Sequence, residues 1–204
     1  QRAAVESRRV DLYTMLGASD RAVAVGLQYL QHVGMDWPAR PTDLEVRREY
    51  DRFWSRLGNR AIEELVDLPP MEDPESLATL DVLTALGSPA SYTDRNLSAF
   101  TTCRQANLSL DRGNSDITPA VYAAVGLMAA ARFGDRDAGH RLGKMARDLT
   151  ERRGFKRFAA RTYLIFGNVV VSTRPVREAI NPFRRTFQVA NEQGDLADAA
   201  YSFS

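Results

Sequence analysis

Cysteine is nearly absent from this sequence. A single residue, Cys103, excludes an intrachain disulfide framework and any cluster of thiolate metal ligands. It sits in FTTCRQANLSL, where apolar residues recur at helical spacing and no histidine stands nearby, so a buried structural thiol is expected rather than a nucleophile. A reducing cytoplasm is the simplest compartment. Histidine is almost as scarce: His32 and His140 lie 108 residues apart without matched Asp, Glu or Cys spacing, which leaves no pattern for a metal site. No cofactor or metal is expected within these residues. Long apolar runs are missing too. The longest, Ala120 to Ala131, has twelve residues, against the roughly 20 needed to cross a bilayer. Neither an initiator Met nor an apolar signal core is present; the chain opens on Gln1 with Arg2, Arg8 and Arg9 among polar residues, and reads as a piece cut from a longer protein.

What is present is ordinary globular material. With 204 residues, 44% hydrophobic and 26% charged, the chain can bury one sizeable core or build a short repeat array, and disorder is not expected. A net charge of +1 conceals polarity: residues 132–185 carry 14 Arg and Lys against 5 Asp and Glu. The cations are 25 Arg and only two Lys. Such a stretch can steer a partner, although a solvated face is its commoner meaning.

Gly and Pro divide the chain into helix-length pieces with apolar residues at helical spacing, and almost nothing alternates as a strand would. Helices are expected over 2–16, 19–33, 41–57, 59–67, 74–86, 93–112, 116–133, 136–153, 155–171 and 175–193, with another beginning near Asp195. Gly17, Gly113, Gly134, Gly154 and Gly194 suit the left-handed residue that follows a helix, while Ser19, Asp135 and Asp195 suit the cap of the next. LPPMEDPES, 68–76, is the clearest irregular stretch. The second half repeats. Gly113, Gly154 and Gly194 are 41 and 40 residues apart, and within that offset Tyr122 falls on Tyr163 and Gly126 on Gly167. Each unit is then two helices of about 20 residues, the period of an α-solenoid of tetratricopeptide or related type. The expected architecture is all-α, a tetratricopeptide-like superhelix of stacked hairpins over 1–204. Residues 1–40 form its first hairpin, 41–112 less regular hairpins with the loop 68–76, and 113–204 the regular repeats.

GHRLGKM, 139–145, looks like a phosphate loop, but that motif needs four residues between its glycines and a Ser or Thr after the Lys. Three residues separate Gly139 from Gly143, and Met145 occupies the hydroxyl position. No strand precedes it. Gly139, Gly143 and Ala146 instead line one helix face at i, i+4 and i+7, and Ala22 and Gly26 do the same in the first hairpin, which suits close helix packing. Carboxylates such as Glu63, Glu64, Glu72, Asp73 and Glu75 show no acid-base pairing. Trp37 and Trp54 flank a Pro-rich turn, with Pro38 and Pro41, and are expected to staple hairpins together. Arg147, Arg152, Arg153, Lys156, Arg157 and Arg161, interleaved with Phe155 and Phe158, resemble a nucleic-acid patch. No catalytic constellation emerges. Three readings follow from the residues: a protein-interaction module, a sensory domain with a small-molecule pocket near Tyr122, Tyr163 and Phe166, and, less favoured, a nucleic-acid binder.

Four blocks together carry a family resemblance: HVGMDWPARPTDLEVRREYDRFWSRLGNRAIEELVDLPPMEDPES at 32–76, NLSLDRGNSD at 107–116, AARFGDRDAGHRLGKMARDLTERRGFKRFAARTYLIFG at 130–167, and ANEQGDLADAAYS at 190–202. They resemble the helical segment of bacterial trifunctional signalling proteins that combine a serine/threonine protein kinase-like domain, a P-loop ATPase and a sensor histidine kinase. The resemblance runs over nearly the whole chain. It implies a tetratricopeptide-like array following the ATPase, with a GAF domain and the histidine kinase beyond. It also implies that ATP and magnesium belong to other domains of the parent, and that this cytoplasmic segment regulates or scaffolds through protein contacts without catalysis. No position matches the nucleotide motifs, phosphorylated histidine or kinase loops of that family.

Overall fold

The computed structural model describes residues 2–35, 37–194, 200 and 202. Among them the protein is all-α: nine α-helices and two short 3-10 turns. No helix among the described residues is long and apolar enough to cross a membrane. The chain divides into two compact units, Gln1–Gly58 with Pro70–Gly113, and Asn59–Pro69 with Asn114–Ser204.

The first unit holds α1 (Arg2–Met15), α2 (Ser19–His32), α3 (Asp43–Leu57), α4 (Pro74–Thr93) and α5 (Arg95–Arg112). α1 and α2 pack on each other and both on α4, while α5 packs on α3 and α4. Starts are set locally. Thr42 opens α3 with a capping box, its Oγ1 accepting from the Glu45 amide at 3.3 Å and its own amide donating to Glu45 Oε2 at 2.7 Å. Asp73 caps α4 ahead of Pro74, whose missing N–H costs nothing in a first turn. Ser19, expected as a cap, is instead the first residue of α2, and Ala18 precedes it without a side-chain bond. The helix expected to stop at residue 86 runs on to Thr93, through Gly87 and the buried Pro89. Proline removes one ladder bond, but Leu86, Pro89 and Ala90 are all buried, so packing on this face outweighs the loss. Asp94 then serves two helices: its amide bonds the Ala90 carbonyl at 2.9 Å, and its carboxylate accepts from the amides of Asn96 and Leu97.

The second unit holds α6 (Thr118–Ala131), α7 (Arg136–Arg153), α8 (Ala159–Thr173) and α9 (Ile180–Gln193). Asp135 caps α7, and Gly154 and Gly194 close α7 and α9 in the left-handed conformation, as their spacing leads one to expect. The starts of α6 and α8 are 41 residues apart, and the ends of α7 and α9 are 40 apart. α6 packs on α7 and α8, α7 on α8, and α8 on α9. Two expected helices are shorter than their sequence suggests. Residues 59–67 contain only a 3-10 stretch, Ile62–Asp67, and 175–193 opens with the 3-10 turn Val176–Ala179 before α9. The helix expected near Asp195 lies outside the described residues.

Glycine sets how closely α6, α7 and α8 approach. A methyl group on Gly126 would fall 2.7 Å from the carbonyl oxygen of Gly139, and one on Gly139 would fall 2.7 Å from that of Gly126. Both obstacles are backbone and have no rotamer to escape into. Gly143, one turn further along α7, faces Phe166 and Val169 of α8 at 2.9 and 3.0 Å. Gly126→Ala or Gly139→Ala should therefore destabilise the chain by about 1–3 kcal/mol through overpacking. Gly87→Ala, with open space around its position, should be neutral or gain up to about 1 kcal/mol from helix propensity. Urea unfolding of the three variants checks both.

Candidate functional site

GHRLGKM lies within α7, between its N-terminal turn and its middle. Its two glycines face the backbone of α6 and the side chains of α8, with no room for a phosphate. Lys144 and Arg141 point the other way and are exposed. On that outer side the 3-10 stretch Ile62–Asp67 lies along α7, with Ile62, Leu65 and Val66 buried.

Polar contacts strap this segment down along its length. Glu63 receives two bonds from the Arg141 guanidinium, Nε to Oε1 at 2.8 Å and Nη2 to Oε2 at 2.7 Å, the two-pronged geometry that suits arginine and a carboxylate. Arg152 pairs with Asp67 at 3.5 Å, and Arg153 Nη2 donates to the carbonyls of Val66 and Leu68 at 3.3 and 2.8 Å. Asn114 completes the strap, its amide donating to Pro69 O and its Nδ2 to Leu65 O, each at 2.8 Å. Between strap and helix remains an open groove of about 410 Å³ that Arg141, Lys144, Met145, Asp148 and Glu151 help to line. With Glu63 it carries charge of both signs.

The remaining expected residues are dispersed. His140, half-buried on α7, lies 3.4 Å from Thr173 Oγ1 and beside the Phe166 ring. Burial first, then Arg174, holds its imidazole below the usual histidine range. His32 is in the other unit, 2.8 Å from Arg2 Nη1. No group of three metal-ligating side chains occurs among the described residues. Asp73 is a helix cap, its carboxyl lowered by the side-chain and backbone bonds from Ser76. Cys103 is buried in α5. Trp37 packs edge-on against Phe100 under the Arg104 guanidinium, joining its loop to α5. Trp54 meets Tyr50 and Phe53 of its own helix, so these contacts staple nothing across hairpins.

The basic stretch is mostly exposed, yet four of its guanidiniums find partners within the unit. Arg147 bonds Asp148 at 2.6 Å and covers the Phe166 ring; Arg157 covers Phe158 and reaches Asp116 at 3.8 Å; Arg152 and Arg153 hold the strap. These guanidiniums serve the unit's own folding. The aromatics expected around a ligand pocket are core: Tyr122 is fully buried, and Tyr163 and Phe166 are 4% and 5% exposed. Burial pushes both tyrosine hydroxyls above the usual phenol range. Tyr163 Oη donates to Glu151 Oε1 at 3.1 Å.

Sequence reasoning missed two arrangements. One is the strap. The other is a polar knot in the first unit, where Glu49 on α3, 7% exposed, binds Arg52 at 2.9 Å, Arg104 at 3.4 Å and Asn107 Nδ2 at 3.2 Å. Glu49 and Asn107 are 58 residues apart in sequence, and no local pattern marks such a pair. The chain matches no family model, and no curated protein or solved structure shows significant similarity to it.

Two pH responses follow. The Arg141 bonds lower Glu63 from 4.5 to about 2, so its contribution is complete above about 4.5 and is lost as pH falls through about 2. Urea midpoints of Glu63→Gln and the parent chain should therefore differ at pH 7 and converge toward pH 2. His140 is depressed, so it favours the fold fully above its ordinary value near 6.5 and progressively less below it. His140→Asn should flatten the loss of stability between pH 7 and 5, read by thermal unfolding.

Proposed function

We propose that this chain is a non-catalytic interaction segment, a tetratricopeptide-like solenoid that couples the ATPase and histidine kinase modules of a multidomain signalling protein of the kind its sequence resembles. One observation carries the reading: two consecutive helical hairpins recur at the same 40- to 41-residue offset, with the second hairpin's α8 laid against both α6 and α7 of the first. A unit that uses its neighbour to bury its own apolar face is the elementary step of a solenoid. The strap, fastened to α7 by Arg141, Arg152 and Arg153, agrees with a stiff scaffold. The partners are proteins, in the first place the flanking domains of the parent. ATP and magnesium act elsewhere in that parent, and the segment resides in the cytoplasm.

ATP is the decisive ligand. Isothermal titration with Mg-ATP should show no saturable heat, and the chain should release no phosphate from ATP above the buffer rate. Clear binding or turnover sinks the proposal.

A further inference from the structure

The first unit carries a groove of about 790 Å³, lined by residues of α1, α2, α4 and α5. That is the size of a site for a small organic molecule. Two of its lining residues, Tyr29 on α2 and Thr79 on α4, are only 7% and 5% exposed, yet neither hydroxyl has a hydrogen bond among the described residues. A threonine inside a helix can return its hydroxyl to the carbonyl four residues back. Thr84 and Thr93 of the same helix do so, at 2.7 and 3.0 Å, and Thr79 does not. Neither hydroxyl is among the polar atoms sealed from solvent, so each opens onto the groove it lines. Buried polar groups ordinarily find partners, which makes this pair an exception that calls for a cause.

Charge of both signs stands at the same groove. Arg2 and Arg112 face Asp73 and Glu75 across it, and all four are exposed. Two of them are engaged: Arg2 Nη1 lies 2.8 Å from His32 Nε2, and Asp73 caps α4 by accepting from the Ser76 amide at 3.0 Å. The side chains of Arg112 and Glu75 have neither an ion pair nor a hydrogen bond among the described residues. The remaining wall is partly apolar, with Val33, Met35 and Leu108. A guanidinium suits a carboxylate, a carboxylate suits an ammonium, and a hydroxyl both gives and accepts a bond. A molecule that carries both charges with an amide between them answers every one of these groups.

We infer that this groove binds a small zwitterion of dipeptide size, its carboxylate on Arg112, its ammonium on Glu75 and its amide on the hydroxyls of Tyr29 and Thr79. The site lies wholly in the first unit. It is independent of the scaffold reading, which rests on the hairpins of the second.

The probe is the dipeptide leucyl-phenylalanine, titrated calorimetrically into the full chain, and saturable heat in the millimolar range or tighter is expected. Its N-acetylated and C-amidated forms, each lacking one charge, should bind about tenfold more weakly. Arg112→Gln and Glu75→Gln, at exposed positions that leave the fold intact, should each weaken the parent dipeptide by about tenfold as well. Glu75→Gln should change little toward the N-acetylated form, which has no ammonium to lose, and a merely structural role for Glu75 would not produce that difference. Tyr29→Phe and Thr79→Val, which remove a hydroxyl and little else, should each cost about threefold to tenfold. Thermal unfolding checks that these two fold, and the charge variants carry the test if they do not. The proposal is overturned if the dipeptide gives no saturable heat, if either blocked form binds as well as the parent, or if well-folded hydroxyl variants keep full affinity. Retained binding of the N-acetylated form alone would make the ligand a simple anion, and of the C-amidated form alone a simple cation; either result also overturns it. ATP turnover by the chain would remove the non-catalytic reading without touching any of these outcomes.

Discussion

The contact between Gly126 and Gly139 governs the second unit. Two helices meet there backbone to backbone, each glycine's Cβ position blocked by the other's carbonyl oxygen at 2.7 Å. Ordinary side chains hold helix axes about 8–10 Å apart, and mutual glycines allow the near end of that range. Once α6 and α7 are so close, the next turn of α7 presents Gly143 as a slot for Phe166 and Val169, and α8 settles against both helices. The step recurs with a different residue: Phe183 of α9 fills the space over Gly167 of α8. The hairpins are thus fitted by removing side-chain bulk on one helix and supplying an aromatic ring on the next.

Charge complements this packing on the outer face of α7. Its small residues serve the inside and its arginines the outside, where they fasten the strap to the helix. Part of the positive charge over residues 132–185 is thus engaged within the unit, in ion pairs of Arg141, Arg147, Arg152 and Arg157.

Much of the helix punctuation was legible because its causes are local. The glycines at 154 and 194, the Asp135 cap and the 40-residue period are written in consecutive residues, and GHRLGKM could be rejected as a phosphate loop by spacing alone. What escaped depends on distance along the chain. Pro89 reads as a stop, yet burial against other helices carries α4 past it. Residues 59–67 have the apolar content of a helix, but the carbonyls of Leu65 and Val66 are claimed by Asn114 and Arg153, 49 and 87 positions away, and the segment settles as a 3-10 stretch. Nor does periodicity reveal that Trp54 packs on its own helix while Trp37 reaches α5. A pattern reports which face is apolar and is silent about what lies opposite.

The strap also bears on how the chain can fold. Its residues precede the whole of Pro70–Gly113, so the second unit is not a contiguous stretch of sequence. Bringing Glu63 to Arg141 closes a loop of 78 residues, an entropic cost that must be met before any contact rewards it. During synthesis, Ile62, Leu65 and Val66 leave the ribosome well before the helix that will cover them, and wait exposed while α4, α5 and α6 are made. The second unit thus includes a segment made early, and its C-terminal hairpins are complete only with chain that lies between α3 and α4.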